Sequence, residues 1–285
     1  MKRNRSQQII MLLLALVFSL SSVRIAEELL NREKADASYD EALEIALSDS
    51  DNNDAETKEP EEATPIVEPE LPLAEIPAED SIEEPLPELP DEAQFLMDMD
   101  IKALRDINED VLGWISVPGT AISYPLMRSA DNSDYLHTTW DSKSSFSGSI
   151  FLECQNSPDF SDFHTLVYGH NMKNGTMFSD LRRYNNADFL KANEYVYIAT
   201  DTTIRQYQVF AAHKANIESY TYVTQFKDNV QKLNAINSYL ASSDIDTRIV
   251  PSPNDQLLTL STCTGTGNNS YRWVVQTVLV NEFPR

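Results

Sequence analysis

The sequence has few glycines and cysteines and no surplus of basic charge. Among 285 residues it has 7 glycines, 2 cysteines and 4 histidines, and its formal net charge is −23. Residues 33–92 hold 22 of the 45 acidic residues but two of the 22 basic ones, so the charge elsewhere nearly balances. A near-neutral remainder excludes the basic footprint of a nucleic-acid-binding protein. The scattered histidines and widely separated cysteines predict no metal site and no cofactor.

Long uncharged runs are also scarce, and the one that matters stands at the N-terminus. Residues 6–23 carry no charge and follow a basic end at residues 2–5. That length is near the lower limit for a membrane-spanning helix, and preceding basic residues favour a cytoplasmic N-terminus. We therefore predict a transmembrane signal anchor over residues 1–25. A cleaved signal peptide is the alternative, because small residues at 19–21 offer a cleavage spacing.

The next stretch lacks glycine altogether and is dominated by acid and proline. No glycine precedes Gly113, and eight of the 14 prolines fall between residues 60 and 90. Repelling charges and stiff prolines oppose a packed core and favour an extended chain. Residues 26–92 are thus predicted to be a disordered extracellular spacer, with weak helical periodicity before residue 48.

Residues 93–285 show the pattern of a folded domain. Short runs rich in β-branched and aromatic residues are separated by Pro-Gly and Asn-Gly turns, which predicts a mainly β domain. Helical stripes are predicted at 95–107, 177–183 and 226–240, the last with Val230, Leu233, Ile236 and Leu240 on its buried face. This number of strands in one domain predicts a closed β-barrel with peripheral helices.

Three residues at predicted strand ends suggest a nucleophilic site. Cys263 ends the apolar run 257–262, Arg272 opens the following strand, and His170 follows the run 165–168. A free thiol is only a few per cent ionised near neutral pH, so a cysteine nucleophile needs a base or a positive charge nearby. A Cys-His-Arg arrangement supplies both.

The second cysteine, Cys154, is interpreted as a structural residue. A disulfide with Cys263 would consume the candidate nucleophile, so pairing is not expected. Free cysteine commonly packs as a small hydrophobic residue, and Cys154 lies in a predicted strand over residues 149–154. We also interpret His137, His164 and His213 as structural histidines.

The motifs around these residues resemble those of class B sortases. They are Thr259-Leu260-Ser261-Thr262-Cys263, Tyr168-Gly169-His170-Asn171-Met172, Gly113-Trp114-Ile115, and Gly148-Ser149-Ile150-Phe151. The resemblance covers about residues 95–282. Sortases are membrane-anchored cysteine transpeptidases of Gram-positive cell surfaces. The resemblance implies a sortase-type barrel, a single-pass membrane protein with an external catalytic domain, and catalysis by His170, Cys263 and Arg272.

The same resemblance implies substrates and partners. Cys263 would attack a C-terminal sorting signal of the N-P-x-T-x type in a secreted protein, and a cell-wall amine would release the acyl group. Asn132, Leu136 and Ser261 match positions that border the signal-binding groove. Two alternatives remain open at this point. One is a class B-like enzyme that polymerises pilins on a pilin lysine, and the other is a catalytically silent surface binding protein.

Overall fold

The computed structural model describes residues 5–48, 88–263 and 270–285. Within these ranges the strands are β1 (Val111–Ser116), β2 (Ser123–Met127), β3 (Ile150–Leu152), β4 (His164–Tyr168), β5 (Tyr195–Ala199), β6 (Thr203–Asn216), β7 (Leu257–Cys263) and β8 (Tyr271–Pro284). The α-helices are α1 (Arg5–Ser48), α2 (Ile101–Ile107), α3 (Ala187–Ala192) and α4 (Asn229–Ser242). Short 3-10 helices cover Asp91–Leu96, Asp134–Leu136, Ser179–Asn185 and Tyr220–Tyr222.

The eight strands close into a barrel in the order β1-β2-β3-β4-β7-β8-β6-β5. β2 with β3 and β4 with β7 pair in parallel, and the other neighbours are antiparallel. Closure satisfies the backbone hydrogen bonds that an open sheet would leave at its edges. The mainly β closed barrel predicted from the sequence is confirmed.

The strands β4 and β7 are almost wholly buried, and two of their polar side chains, His164 and Thr259, hydrogen-bond to each other at 2.7 Å. Outside the barrel, a second core cluster packs Ile236 and Tyr239 of α4 with Phe210 of β6 and Leu257 of β7.

The predicted buried face of α4 is wrong in part. Ala235, Ile236 and Tyr239 are buried, whereas Val230 and Leu233 are 67% and 46% exposed. Small Ala235 lets the helix lie close to the sheet, and the Tyr239 hydroxyl donates a hydrogen bond to the Tyr220 carbonyl at 3.0 Å. The buried face of α4 is therefore shifted around the helix from the stripe that hydrophobicity alone favours.

The predicted helix over 95–107 is two shorter elements. A 3-10 turn ends at Leu96, and α2 begins after Asp100, whose side chain accepts a hydrogen bond from Ala103 N at 2.8 Å. This capping interaction satisfies one of the free amides at the helix start and fixes the break there.

The C-terminal part of α1 packs against the barrel. Tyr39, Ala42 and Ala46 are buried in the main core, and the Tyr39 ring meets Tyr124 edge to face, with 5.2 Å between ring centroids. The sequence interpretation assigned these residues to the spacer over 26–92. They differ from the rest of that stretch because Ala42 and Ala46 lie one turn apart on one helix face and offer a small apolar surface. The folded body therefore includes a segment that precedes residue 93.

No helix within the described ranges combines the length and hydropathy needed to cross a membrane. Most of the acidic, proline-rich stretch, residues 49–87, lies outside the described residues.

Candidate active site

Strand register brings the three predicted catalytic positions to one edge of the barrel. β4 and β7 run in parallel with Tyr168 opposite Ser261, so His170 and Cys263 each follow two residues beyond this pair. β8 returns antiparallel to β7, and its register pairs Cys263 with Arg272 directly. Parallel neighbours end at the same edge, which places the backbones of all three residues in one neighbourhood. The Cys263 side chain lies outside what the structure describes.

A concave pocket of about 290 Å³ opens at this edge. Its walls include the predicted catalytic residues His170 and Arg272 and the three predicted signal-binding residues, Asn132, Leu136 and Ser261. The lining is completed by Phe151, Tyr168, Gly169, Ile217, Tyr222 and Thr262. Five of the six site residues chosen from sequence therefore share one cavity, next to the end of β7.

His170 is held in a defined orientation. Its Nε2 lies 2.8 Å from the Leu136 carbonyl oxygen, and its own carbonyl accepts a hydrogen bond from Phe178 N at 2.9 Å. A carbonyl oxygen accepts and never donates, so Nε2 carries the proton. In the neutral ring, Nδ1 is then left with the lone pair that a general base needs.

The electrostatic surroundings favour neutral His170. Burial is the main cause that lowers the pKa of His170, and electrostatic interactions with His137 and Arg272 lower it further. The hydrogen bond with Leu136 opposes this shift but does not cancel it. The ring is consequently unprotonated and able to accept a proton near neutral pH.

Two further rings pack beside His170. His137 and Phe146 lie 5.8 Å and 6.1 Å from it between ring centroids, at interplanar angles of 20° and 19°. His137 and Phe146 also stack on each other at 6.1 Å. His137, which the sequence analysis treated as structural, therefore belongs to the surroundings of the candidate base. No motif marked either residue.

Glu153 was missed from the sequence, although it orders one wall of the pocket. Its carboxylate accepts hydrogen bonds from Asn132 Nδ2 at 2.7 Å and from the Tyr168 hydroxyl at 2.8 Å. Burial raises the pKa of Glu153, but the hydrogen bonds from Asn132, Tyr168 and Cys154 outweigh burial and hold it below its usual range. Its proximity to Asn132 depends on folding, so sequence spacing gave no signal.

The opposite wall is joined to β7 by a second hydrogen bond. The hydroxyls of Tyr222 and Ser261 lie 2.9 Å apart, and the Ser261 carbonyl accepts from Gly169 N at 3.2 Å. Gly169 has no room for a side chain, because a Cβ there would lie 2.4 Å from Ile150 Cδ1. This explains the glycine between Tyr168 and His170.

Comparisons with known proteins agree on one family. The model of the Sortase domain matches residues 115–280. The chain is 33% identical to "Sortase B" of Listeria monocytogenes over 184 residues, which are 64% of this chain and 75% of that protein. It is 28% identical to "Sortase B" of Staphylococcus aureus over 162 residues, 57% of this chain and 66% of that protein.

Solved structures give the same result. A Staphylococcus aureus sortase B–substrate complex superposes with a TM-score of 0.60 at 27% identity, covering 64% of this chain and 84% of that one. Clostridium perfringens sortase B superposes with a TM-score of 0.60 at 31% identity, covering 64% of this chain and 100% of that one.

Proposed function

The chain belongs to the sortase family, and we propose that His170, Cys263 and Arg272 are its catalytic residues. It is a class B sortase, a cysteine transpeptidase that anchors surface proteins. The observation that supports the residue assignment is the register of three strands: β4 with β7 and β7 with β8 bring the backbones of these residues together, beside a pocket that His170 and Arg272 line.

The reaction proceeds in two acyl-transfer steps through Cys263. The thiolate attacks the carbonyl carbon at the scissile bond of a sorting signal, forming a C–S bond. The C–N bond then breaks, and His170, which took the proton of the Cys263 thiol when the thiolate formed, transfers that proton to the departing amine. In the second step an acceptor amine gives its proton to His170 and attacks the thioester, forming a new amide and releasing the thiolate. Exchange through such a covalent intermediate gives ping-pong kinetics.

Arg272 stabilises the negative charge that develops on the carbonyl oxygen. Its backbone is level with Cys263 across the β7–β8 pair, and its side chain lines the pocket. A guanidinium offers several donors in a fixed plane and stays charged at all relevant pH values. Loss of one oxyanion donor typically costs about 2.7–4 kcal/mol in the transition state.

Asn132, Leu136 and Ser261 border the groove that receives the sorting signal. Each lines the pocket, and two of them are fixed by side-chain hydrogen bonds, Asn132 to Glu153 and Ser261 with Tyr222. The signal is of the N-P-x-T-x type, and a cell-wall amine accepts the acyl group. The partners are secreted proteins that carry this signal and a wall precursor or a pilin that supplies the amine.

Sortases act at the Gram-positive cell surface, and we assign the N-terminus a role as anchor. Residues 1–25 form a single-pass signal anchor with a cytoplasmic N-terminus, supported by the uncharged run 6–23 after a basic end. Residues 26–92 connect the anchor to the catalytic domain over 93–285, with the part of α1 around Tyr39 packed on that domain.

A peptide-cleavage assay tests this function. The full-length protein is incubated with N-P-x-T-x and L-P-x-T-x peptide libraries, with hydroxylamine in place of the natural amine. We expect cleavage of N-P-x-T-x peptides and release of a hydroxamate. Parallel reactions with a wall-type glycine amine and with a lysine-containing pilin peptide identify the acceptor. An intact N-P-x-T-x library under all conditions would contradict the proposal.

A further inference from the structure

One loop beside the active site is held from two sides. Residues 135–149, here called the base loop, run from the 3-10 turn at Asp134–Leu136 to the start of β3. At one end the base loop gives the Leu136 carbonyl to His170 Nε2 and places the His137 and Phe146 rings on that imidazole. At its other end it contacts α1. The base loop therefore lies between the N-terminal helix and the candidate catalytic base.

A short chain of contacts joins α1 to His170. The Tyr39 hydroxyl, on a side chain that is 6% exposed, donates to the Gly148 carbonyl. Gly148 has a φ of +56°, and a Cβ there would lie 2.5 Å from the Leu136 carbonyl oxygen. That same oxygen accepts the His170 Nε2 proton at 2.8 Å. Three steps thus connect a helix residue to the imidazole, and in the middle step the backbones of Gly148 and Leu136 lie so close that a side chain on Gly148 would not fit between them.

A second contact ties the base loop to the same turn of α1. Trp140 is 1% exposed, and its indole Nε1 donates to the Ser38 carbonyl at 2.8 Å. Within the base loop, Ser149 Oγ donates to the Thr138 carbonyl at 2.8 Å and Ser149 N donates to the Tyr135 carbonyl at 2.9 Å. These bonds make the two ends of the base loop one unit, so a displacement at Gly148 is transmitted to Leu136.

We propose that Tyr39 is a positioning residue for catalysis, which fixes the Leu136 carbonyl through Gly148 and thereby orients His170. The inference rests on the proposed role of His170 as the base. It makes α1 part of the catalytic unit, because the helix sets the direction of the imidazole as well as contributing buried surface. A misplacement of about 1 Å at a reacting group can reduce the rate about 100-fold. Since removal of one hydroxyl relaxes the base loop only partly, we expect about a tenfold loss.

The test compares two matched tyrosine variants of the full-length protein. Tyr39→Phe keeps the ring against Tyr124 and removes the hydroxyl. Tyr184→Phe is the control: it removes the hydroxyl of another buried tyrosine, which donates to the Asn193 carbonyl at 2.9 Å, away from the base loop. We expect Tyr39→Phe to lower kcat for hydroxylamine-stimulated release about tenfold with KM unchanged, while Tyr184→Phe stays within about twofold of wild type.

A second readout separates positioning from stability. The ¹⁵N chemical shifts of the His170 imidazole report which nitrogen carries the proton. In the wild type we expect the Nε2–H tautomer, and in Tyr39→Phe a mixture of tautomers at temperatures well below the melting transition. Trp140→Phe, which removes the other tie to α1, should shift the tautomer in the same direction.

The outcomes are distinguishable. A Tyr39→Phe enzyme with wild-type kcat, or one whose loss of activity follows only its Tm while the tautomer stays unchanged, overturns the positioning role. If His170→Ala retains the activity of the wild type, the proposed function fails first, whatever Tyr39 does.

Discussion

Two parts of the active-site rim are built in different ways. The barrel edge formed by β4, β7 and β8 fixes His170, Cys263 and Arg272 through strand register, where each position depends on many backbone hydrogen bonds. The base loop instead sets the direction of the imidazole through a few side-chain contacts with α1. Register is robust to single substitutions, whereas the base loop depends on individual residues. Substitutions at the barrel edge should therefore reduce activity by removing a functional group. Substitutions at the base loop should reduce it by misorienting the His170 imidazole.

The two cysteines give the largest expected contrast. Cys263→Ala should abolish both cleavage and transfer, because no other group at the end of β7 can form the thioester. Cys154→Ala should be nearly silent, since burial together with a hydrogen bond to Glu153 raises the pKa of the Cys154 thiol and keeps it protonated. Hydroxamate release from both variants measures the difference. Turnover by Cys263→Ala together with an inactive Cys154→Ala would mean that the nucleophile is misassigned.

Arg272→Lys tests the barrel edge without removing charge. Lysine keeps the positive charge but loses the planar fork, so we expect kcat to fall about 100- to 1000-fold while register and fold persist. Single-turnover acylation rates provide the measurement. Arg128→Lys, at an exposed position after β2, is the matched control and should behave as wild type. An Arg272→Lys enzyme that acylates as fast as wild type would show that charge alone is sufficient at this position.

Buried histidines in the barrel strands, His164 in β4 and His213 in β6, extend the comparison to the pH dependence of stability. His164 is fully buried, between the Val223 carbonyl and the Thr259 hydroxyl, and burial lowers its pKa to about 4 from 6.5. The unfolded chain therefore binds more protons than the folded one below about pH 6.5. The free energy of unfolding keeps its full contribution from His164 above that pH and loses it as the pH falls towards about 4. Over this window His164 alone should account for a loss of about 3 kcal/mol.

Denaturant unfolding between about pH 4 and pH 7 measures this dependence. His164→Gln should reduce the slope of stability against pH. His213, whose pKa burial also lowers to about 4, contributes a similar slope that this variant retains. An unchanged slope in His164→Gln would exclude His164 as the source.

Glu153 offers the smallest expected effect. Glu153→Gln keeps the shape of the side chain but weakens the charge-assisted bonds from Asn132 and Tyr168. We expect KM for the signal peptide to rise about tenfold with little change in kcat, because the pocket wall loosens while the barrel edge stays intact. Steady-state kinetics with Glu109→Gln as a surface control give the test. A fall in kcat at constant KM would instead link Glu153 to the chemical step.

The residues that sequence analysis found and those that it missed differ in one respect. Cys263, His170 and Arg272 stand in local motifs at strand ends, so those motifs and their resemblance to class B sortases identified them as candidates. Glu153, His137, Phe146 and Tyr39 carry no local signal, because their importance comes from contacts with residues distant in sequence. The Tyr39–Gly148 hydrogen bond joins residues 109 positions apart. Tyr39 was assigned to a spacer because the composition of the whole stretch 26–92 is acidic and rich in proline. An average over that stretch hides the few residues that pack against the barrel.

The sequence by itself determined the mainly β character, the closed barrel, and the identity of the candidate nucleophile, base and cation. These follow from hydrophobic periodicity and from short motifs, which are local properties of the chain. Only the tertiary structure decided which nitrogen of His170 holds the proton, which carboxylate bonds to Asn132 in the pocket wall, and that α1 contacts the loop beside His170. Each of these depends on long-range pairing, and long-range pairing depends on the packing of the whole barrel, which no local pattern encodes.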